Sequence, residues 1–142
     1  MSKIKIAAIQ MPTVTDKMEN VRAVKTYLEK IKDEKPDFVI LPEMFCCPYQ
    51  TENFPVYAEK EGGPSWQAMS DYARKYHIYL IAGSMPEADD TGKVYNTSYI
   101  FDRDGKQIGK HRKAHLFDIN VKNGQYFKES DTLTSGDHAT VF

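Results

Sequence analysis

Cysteine is almost missing from this chain: two occur in 142 residues, and they are adjacent, at Cys46 and Cys47. Neighbouring cysteines rarely bond to one another, and no second pair exists to build a disulfide framework or a zinc site. A disulfide-stapled secreted fold is therefore excluded, and the composition fits a reducing, cytoplasmic compartment. The four histidines, His77, His111, His115 and His138, have no metal-ligand spacing with one another or with the cysteines, so no metal is expected. An excess of charge of one sign is also lacking. The formal net charge is -1, with lysines and acids interspersed, which gives no support for a nucleic-acid partner. Long apolar runs are absent too. The basic-then-apolar opening from Met1 to Ile9 is too short for a secretory leader and is interrupted by Lys5. No later segment approaches a membrane span, so no membrane partner is expected. Internal repeats and low-complexity segments are not found.

What is present is one domain's length of ordinary globular composition. Lys3 to Gln10 alternates and then turns continuously apolar, as a strand covered on both faces does. Asp16 is placed to cap a helix running to about Lys32, with Val21, Val24, Leu28 and Ile31 on one stripe. After a break at 33–36, Asp37 to Leu41 reads as a short buried strand stopped by Pro42. From Pro42 to Pro64 four prolines, several aromatics and Gly62-Gly63 predict a long loop with one short helix at most. Connections of that length usually line pockets. Pro64 or Ser65 starts a second helix to about Tyr76, with Trp66, Met69, Tyr72 and Ala73 inward. Ile78 to Ala82 is the next buried strand. Asn96 to Phe101 and Gln107 to Lys110 form a hairpin about the turn at 102–105. Helices alternating with apolar strands predict an α/β sandwich on a largely parallel sheet. Residues 131–137 read as a polar loop and 138–142 as the opening of a further strand. Natural domains seldom stop inside a strand, so the chain is expected to be a truncation.

Two residues stand out for chemistry. Glu43 follows Val39-Ile40-Leu41-Pro42, beyond the carboxyl end of a strand, where open α/β sheets bind ligands. Desolvation there would raise its pKa toward the range of a general base; a capping acid or a surface ion pair fits the position equally. Lys113 lies in the run Lys110-His111-Arg112-Lys113. Such a run is more often a solvated face, but this one follows a predicted strand and leads into Leu116-Phe117, so one cation can point inward. An ammonium fixed beside a carboxylate could hold an oxyanion. Tyr49, Phe54 and Tyr57 could shape a cleft, though loop aromatics also pack against the core, and His115 could line the pocket or bond to backbone, the second being favoured.

Taken together, Ile6 to Met11, Val39-Ile40-Leu41-Pro42-Glu43, Gly83-Ser84, Tyr95-Asn96-Thr97 and His111 to Phe117 occur in the order that marks the nitrilase superfamily of carbon–nitrogen hydrolases. The resemblance covers nearly the whole chain. Phe45 with Pro48-Tyr49, Phe54-Pro55-Val56-Tyr57-Ala58-Glu59, His115 to Ile119 and Phe127 to Ser130 resemble the omega-amidase branch in particular. The resemblance implies a four-layer α-β-β-α sandwich, of which this chain supplies the N-terminal half. It implies hydrolysis of a small amide, short α-keto dicarboxylic acid monoamides in the omega-amidase branch, by Glu, Lys and Cys without a cofactor. Glu43 would be the general base and Lys113 the oxyanion holder. Glu129 would match a second glutamate that positions Lys113 and the substrate, though its segment also reads as a surface acid in a polar loop. The family's nucleophilic cysteine lies further on, at a strand-to-helix elbow, and no residue of this chain corresponds to it. Cys46 and Cys47, a few residues from Glu43, read as packed hydrophobes. The chain alone is expected to be inactive and poorly soluble, and the parent protein to form homo-oligomers. A non-catalytic binding module is one alternative; a carbamoyl-amide or aliphatic amidase of the same family is another.

Overall fold

The computed structural model describes residues 3–122 and 124–142; Met1 and Ser2, at the basic opening, lie outside them. The first helix, α1 (Lys17–Ile31), begins where Asp16 accepts a hydrogen bond from the Glu19 amide at 2.8 Å. That bond satisfies one of the amides a helix start leaves open. Val21, Val24 and Leu28 are buried on its inner stripe, and Ile31 is partly covered. A second short helix, α2 (Asn53–Tyr57), interrupts the long proline-rich loop. The third, α3 (Pro64–Tyr76), opens on proline and ends at His77 in the left-handed region (φ 52°). Met69 and Ala73 are buried on its inner face, with Trp66 and Tyr72 packed at the edge.

These helices cover one face of a six-stranded sheet. Strands β1 (Ile6–Ala8), β2 (Phe38–Ile40) and β3 (Tyr79–Ile81) run parallel. The long strand β5 (Val94–Phe101) is antiparallel to its neighbours: its C-terminal half pairs with β3 and its N-terminal half with β4 (Met85–Ala88). Along its other edge lies β6 (Gln107–Arg112). The expected largely parallel sheet is thus parallel only in its first half. The reason is β4 and the hairpin, which return without a crossover helix. Val39, Leu80, Tyr99 and Phe101 join α1 and α3 in one core; fully burying a side chain such as Leu28 contributes about 1.5–3 kcal/mol.

Three further differences from the sequence reading have local causes. The strand β1 is not covered on both faces: Ile4 and Ile6 are exposed, because no described element packs on the side away from the helices. Asp118–Asn120 and Tyr126–Lys128 form a separate two-stranded hairpin, β7 and β8. Residues 138–142 form no strand. They are tied to β6 through a side chain instead, Thr140 Oγ1 donating to the Lys110 carbonyl at 3.1 Å.

The β5–β6 ladder carries one irregularity. Phe101 pairs with Gln107, but Ile100 pairs with Gly109, so Ile108 is the extra residue of a bulge. Beyond it Thr97 opposes Arg112, Ser98 opposes His111 and Tyr99 opposes Lys110. Directly opposed residues share a face. Lys110 and Arg112 therefore join Thr97 and Tyr99 on the helix side, while His111 takes the opposite face with Ser98.

Candidate active site

The loop carrying Glu43 is held by Gly83 and Ser84. Gly83 has φ +51°, and a Cβ there would lie 1.9 Å from the Pro42 carbonyl oxygen, so only glycine lets the chain leave β3 at this point. Ser84 then donates its amide to the Pro42 carbonyl (3.2 Å) and accepts the Met44 amide on Oγ (3.0 Å). Glu43 is thereby set at the carboxyl ends of β2 and β3. It borders a cleft of about 340 Å³ lined by Ile40, Ile81, Asn96, Ser98, His111 and Lys113 among others.

Lys113 follows β6 directly, and its amide donates to the Asn96 carbonyl (2.8 Å). Its ammonium lies 2.9 Å from Glu43 Oε1 and 3.0 Å from the Glu129 carboxylate. Glu129, just after β8, is fully buried rather than a surface acid; it accepts the Phe117 amide (2.6 Å) and the Tyr49 hydroxyl (2.5 Å). The three expected residues thus meet at one point, brought from three separate loops. Two more converge on them. Asn96 Nδ2 donates to Glu43 Oε1 at 2.7 Å, and the Tyr49 hydroxyl lies 3.3 Å from the same oxygen. Tyr49 is shelved between Phe54 and Phe127. Asn96 was visible in sequence only as part of a motif; the alternation of β5 is the signal that sets it on the face of Glu43.

The charge state of Glu43 differs from expectation. Burial pushes its pKa up, but its side chain is 47% exposed, and the bonds from Lys113, Asn96 and Tyr49 outweigh that push. Its pKa falls below the ordinary glutamate value, so Glu43 is a carboxylate at neutral pH. Partial burial works to lower the pKa of Lys113, yet Glu43 and Glu129 together hold it above the usual lysine value. Burial, then the bond to Glu129, pushes the Tyr49 phenol up, so it stays a donor. An ammonium has three N–H groups. Two serve the carboxylates, which leaves a third for a developing negative charge in the cleft.

The remaining candidates fall away from this point. Phe54 is buried beneath the loop, and the Tyr57 hydroxyl donates to the Thr15 carbonyl (2.5 Å). His115 is exposed and makes no hydrogen bond among the described residues, contrary to the expected backbone bond; it borders a neighbouring cleft that also touches His111 and Lys113. Cys46 packs in the main core and Cys47 in a small cluster with Met44, Phe54 and Leu133; neither lines the cleft. The contact with Cys47, together with burial, pushes the Cys46 thiol well above its ordinary range. Among the described residues no group of three or more His, Cys, Asp or Glu could hold a metal ion. None of their helices is long and apolar enough to cross a membrane.

A second ionic cluster occupies the other face of the sheet. Glu87 on β4 is buried and accepts from Lys110 (2.5 Å), Arg112 (2.8 Å) and Thr97 (2.6 Å). Sequence reading missed both β4 and this acid, since Pro86-Glu87 argues against a strand. The proline is tolerated because β4 pairs with β5 and otherwise meets only the single bridge at Glu59.

A strand-end acid joined to a lysine at the carboxyl edge of a mixed sheet is the arrangement that the sequence motifs anticipated. The carbon–nitrogen hydrolase family model matches residues 5–142, and the chain belongs to that family. It is 46% identical over 147 residues to omega-amidase NIT3 of Saccharomyces cerevisiae, covering 98% of this chain and 50% of that protein. Mouse omega-amidase NIT2 is 43% identical over 142 residues, covering all of this chain and 51% of the relative. The chain thus spans about half the length of these relatives. The crystal structure of Saccharomyces cerevisiae Nit3, described as a member of branch 10 of the nitrilase superfamily, superposes with a TM-score of 0.83 at 41% identity, over 96% of this chain and 50% of that one. The Caenorhabditis elegans NitFhit protein gives 0.80 at 27% identity, over 93% and 33%.

Proposed function

We propose that this chain carries the acid–base half of an omega-amidase-type active site, which releases ammonia from small α-keto dicarboxylic acid monoamides. The observation that carries the reading is the Lys113 ammonium, about 3 Å from both Glu43 and Glu129 beside a cleft at the strand ends. Family membership and the names of the relatives support the reaction class. In this reading Glu43 takes the proton of a cysteine thiol contributed from outside the 142 residues. The thiolate attacks the amide carbonyl, and Lys113 stabilises the resulting oxyanion with its spare N–H. Glu43 returns the proton to the departing ammonia, then takes one from the water that cleaves the thioester. Glu129 holds Lys113 and is shielded from water. No cofactor is needed for these steps. Self-association and a cytoplasmic setting belong to the same proposal; the two free, buried thiols fit a reducing compartment.

The test is ammonia release from α-ketoglutaramate, by the 142-residue chain and by the full product of its gene. Turnover by the full product alone is the expected result. Turnover by the short chain would overturn the external nucleophile. A full product that ignores keto-acid amides but cleaves carbamoyl or aliphatic amides would move the protein to another branch of its family.

A further inference from the structure

The oxygens of Glu43 are not equivalent. Oε1 receives the Asn96 amide at 2.7 Å and the Lys113 ammonium at 2.9 Å, with the Tyr49 hydroxyl 3.3 Å away. Among the described residues Oε2 receives no hydrogen bond. Of the groups around Oε1, Asn96 is the most rigidly placed. It is 3% exposed, sits in the β5 ladder opposite Pro86, and binds both members of the pair. Its side chain holds Glu43 while its backbone carbonyl accepts the Lys113 amide at 2.8 Å. Lysine and tyrosine reach the site on long or half-exposed side chains; the asparagine reaches it from the floor of the sheet.

We propose that Asn96 is a positioning residue of this site: it ties down Oε1 of Glu43, sets Lys113 beside it, and leaves Oε2 as the oxygen that exchanges protons in the cleft. The assignment rests on the functional reading above for the proton transfer, but its geometric part stands apart from it. A neutral amide suits this position. It donates to the carboxylate without adding charge to a group that already holds two acids and one lysine. An aspartate of the same shape would set two carboxylates against each other and drive one to keep its proton.

The test is carboxyl-detected NMR titration of the full gene product labelled at glutamate, with Glu43→Gln assigning the signal. Tyr49, Lys113, Glu129 and His111 are the other ionisable groups facing Glu43, and their substitutions are held out of this comparison. Asn96→Leu should raise the Glu43 midpoint by about one unit, and Asn96→Asp should raise it further through a shared, two-step titration. The acid limb of the kcat/KM profile should move upward by the same amount, with the alkaline limb in place. The unmutated protein gives an independent reading: the Asn96 side-chain amide signal should titrate with the Glu43 midpoint and lose that response in Glu43→Gln. An amide signal indifferent to Glu43, or a midpoint unmoved in both folded variants, overturns the assignment. A shifted midpoint in a protein that cleaves no amide upholds it and removes the functional reading instead. An active protein with an unshifted midpoint does the reverse.

Discussion

On one face of the sheet a single buried acid, Glu87, is shared by two cations. On the other, a single cation, Lys113, is shared by two acids. The first group is closed: Glu87 is 2% exposed, and Thr97 fills its remaining lone pair. The second is half open, with Glu43 exposed on one side and one N–H of Lys113 unused. Both carboxylates are pulled below the ordinary glutamate pKa against the upward push of burial. Similar electrostatics therefore serve two ends. Where every polar atom is satisfied, the cluster fastens β4 to β6; where one donor and one carboxylate oxygen stay free, the cluster has the groups that the proposed hydrolysis requires.

The largest effect should come from breaking the open cluster at its hub. In the full gene product Lys113→Met is expected to lower kcat by about 10³-fold, the scale of losing an oxyanion donor, read in a steady-state ammonia assay; it also strips buried Glu129 of its cation and should lower stability. Breaking the closed cluster should read in stability alone. Glu87→Leu leaves Arg112 without a carboxylate partner and Lys110 with only the half-exposed Glu61, and should cost about 3 kcal/mol, seen as a lower urea midpoint at unchanged slope. If Glu87→Leu instead abolished turnover at full stability, the division of labour would be wrong.

Acid sharpens the contrast. A glutamate with a depressed folded pKa adds stability that is complete above its unfolded value of about 4.5 and is lost as pH falls through the folded value. Glu87 is buried and Glu43 half exposed, so the stability lost on acidification should shrink chiefly in Glu87→Gln and hardly change in Glu43→Gln. Urea midpoints measured from neutral pH down to about pH 3 separate the two. The smallest change expected is Tyr49→Phe. It removes one neutral donor from Glu129, whose other partners remain, and should cost about 1 kcal/mol by thermal unfolding.

The helices and the buried parallel strands were readable because Val21, Val24 and Leu28, or Val39 and Leu80, declare their period in apolar residues. Glu43 and Lys113 were readable from their place after strands and from family motifs. Polar residues with a period were harder. Pro86-Glu87 hid β4, because burial there is satisfied by distant cations rather than by hydrophobic neighbours. The hairpin of β7 and β8 was missed because its strands are three residues long and largely exposed. The raised pKa expected for Glu43 failed for a related reason: Lys113 and Asn96, from distant parts of the chain, and Tyr49, from its own loop, together outweigh the desolvation.

The bulge at Ile108 decides which cation meets which acid. Were Ile108 paired in the ladder instead of bulged out of it, Ile100 would oppose Ile108, Ser98 would oppose Lys110, and Asn96 would oppose Arg112. Every side chain of the run Lys110 to Lys113 would then change sides. Arg112 would point toward Glu43, and Lys113 would be turned away from it. One unpaired residue thus acts as a parity bit for the strand: drawing Ile108 into the ladder would interchange the two ionic clusters, whereas deleting Ile108 removes the bulge and should keep Lys113 beside Glu43.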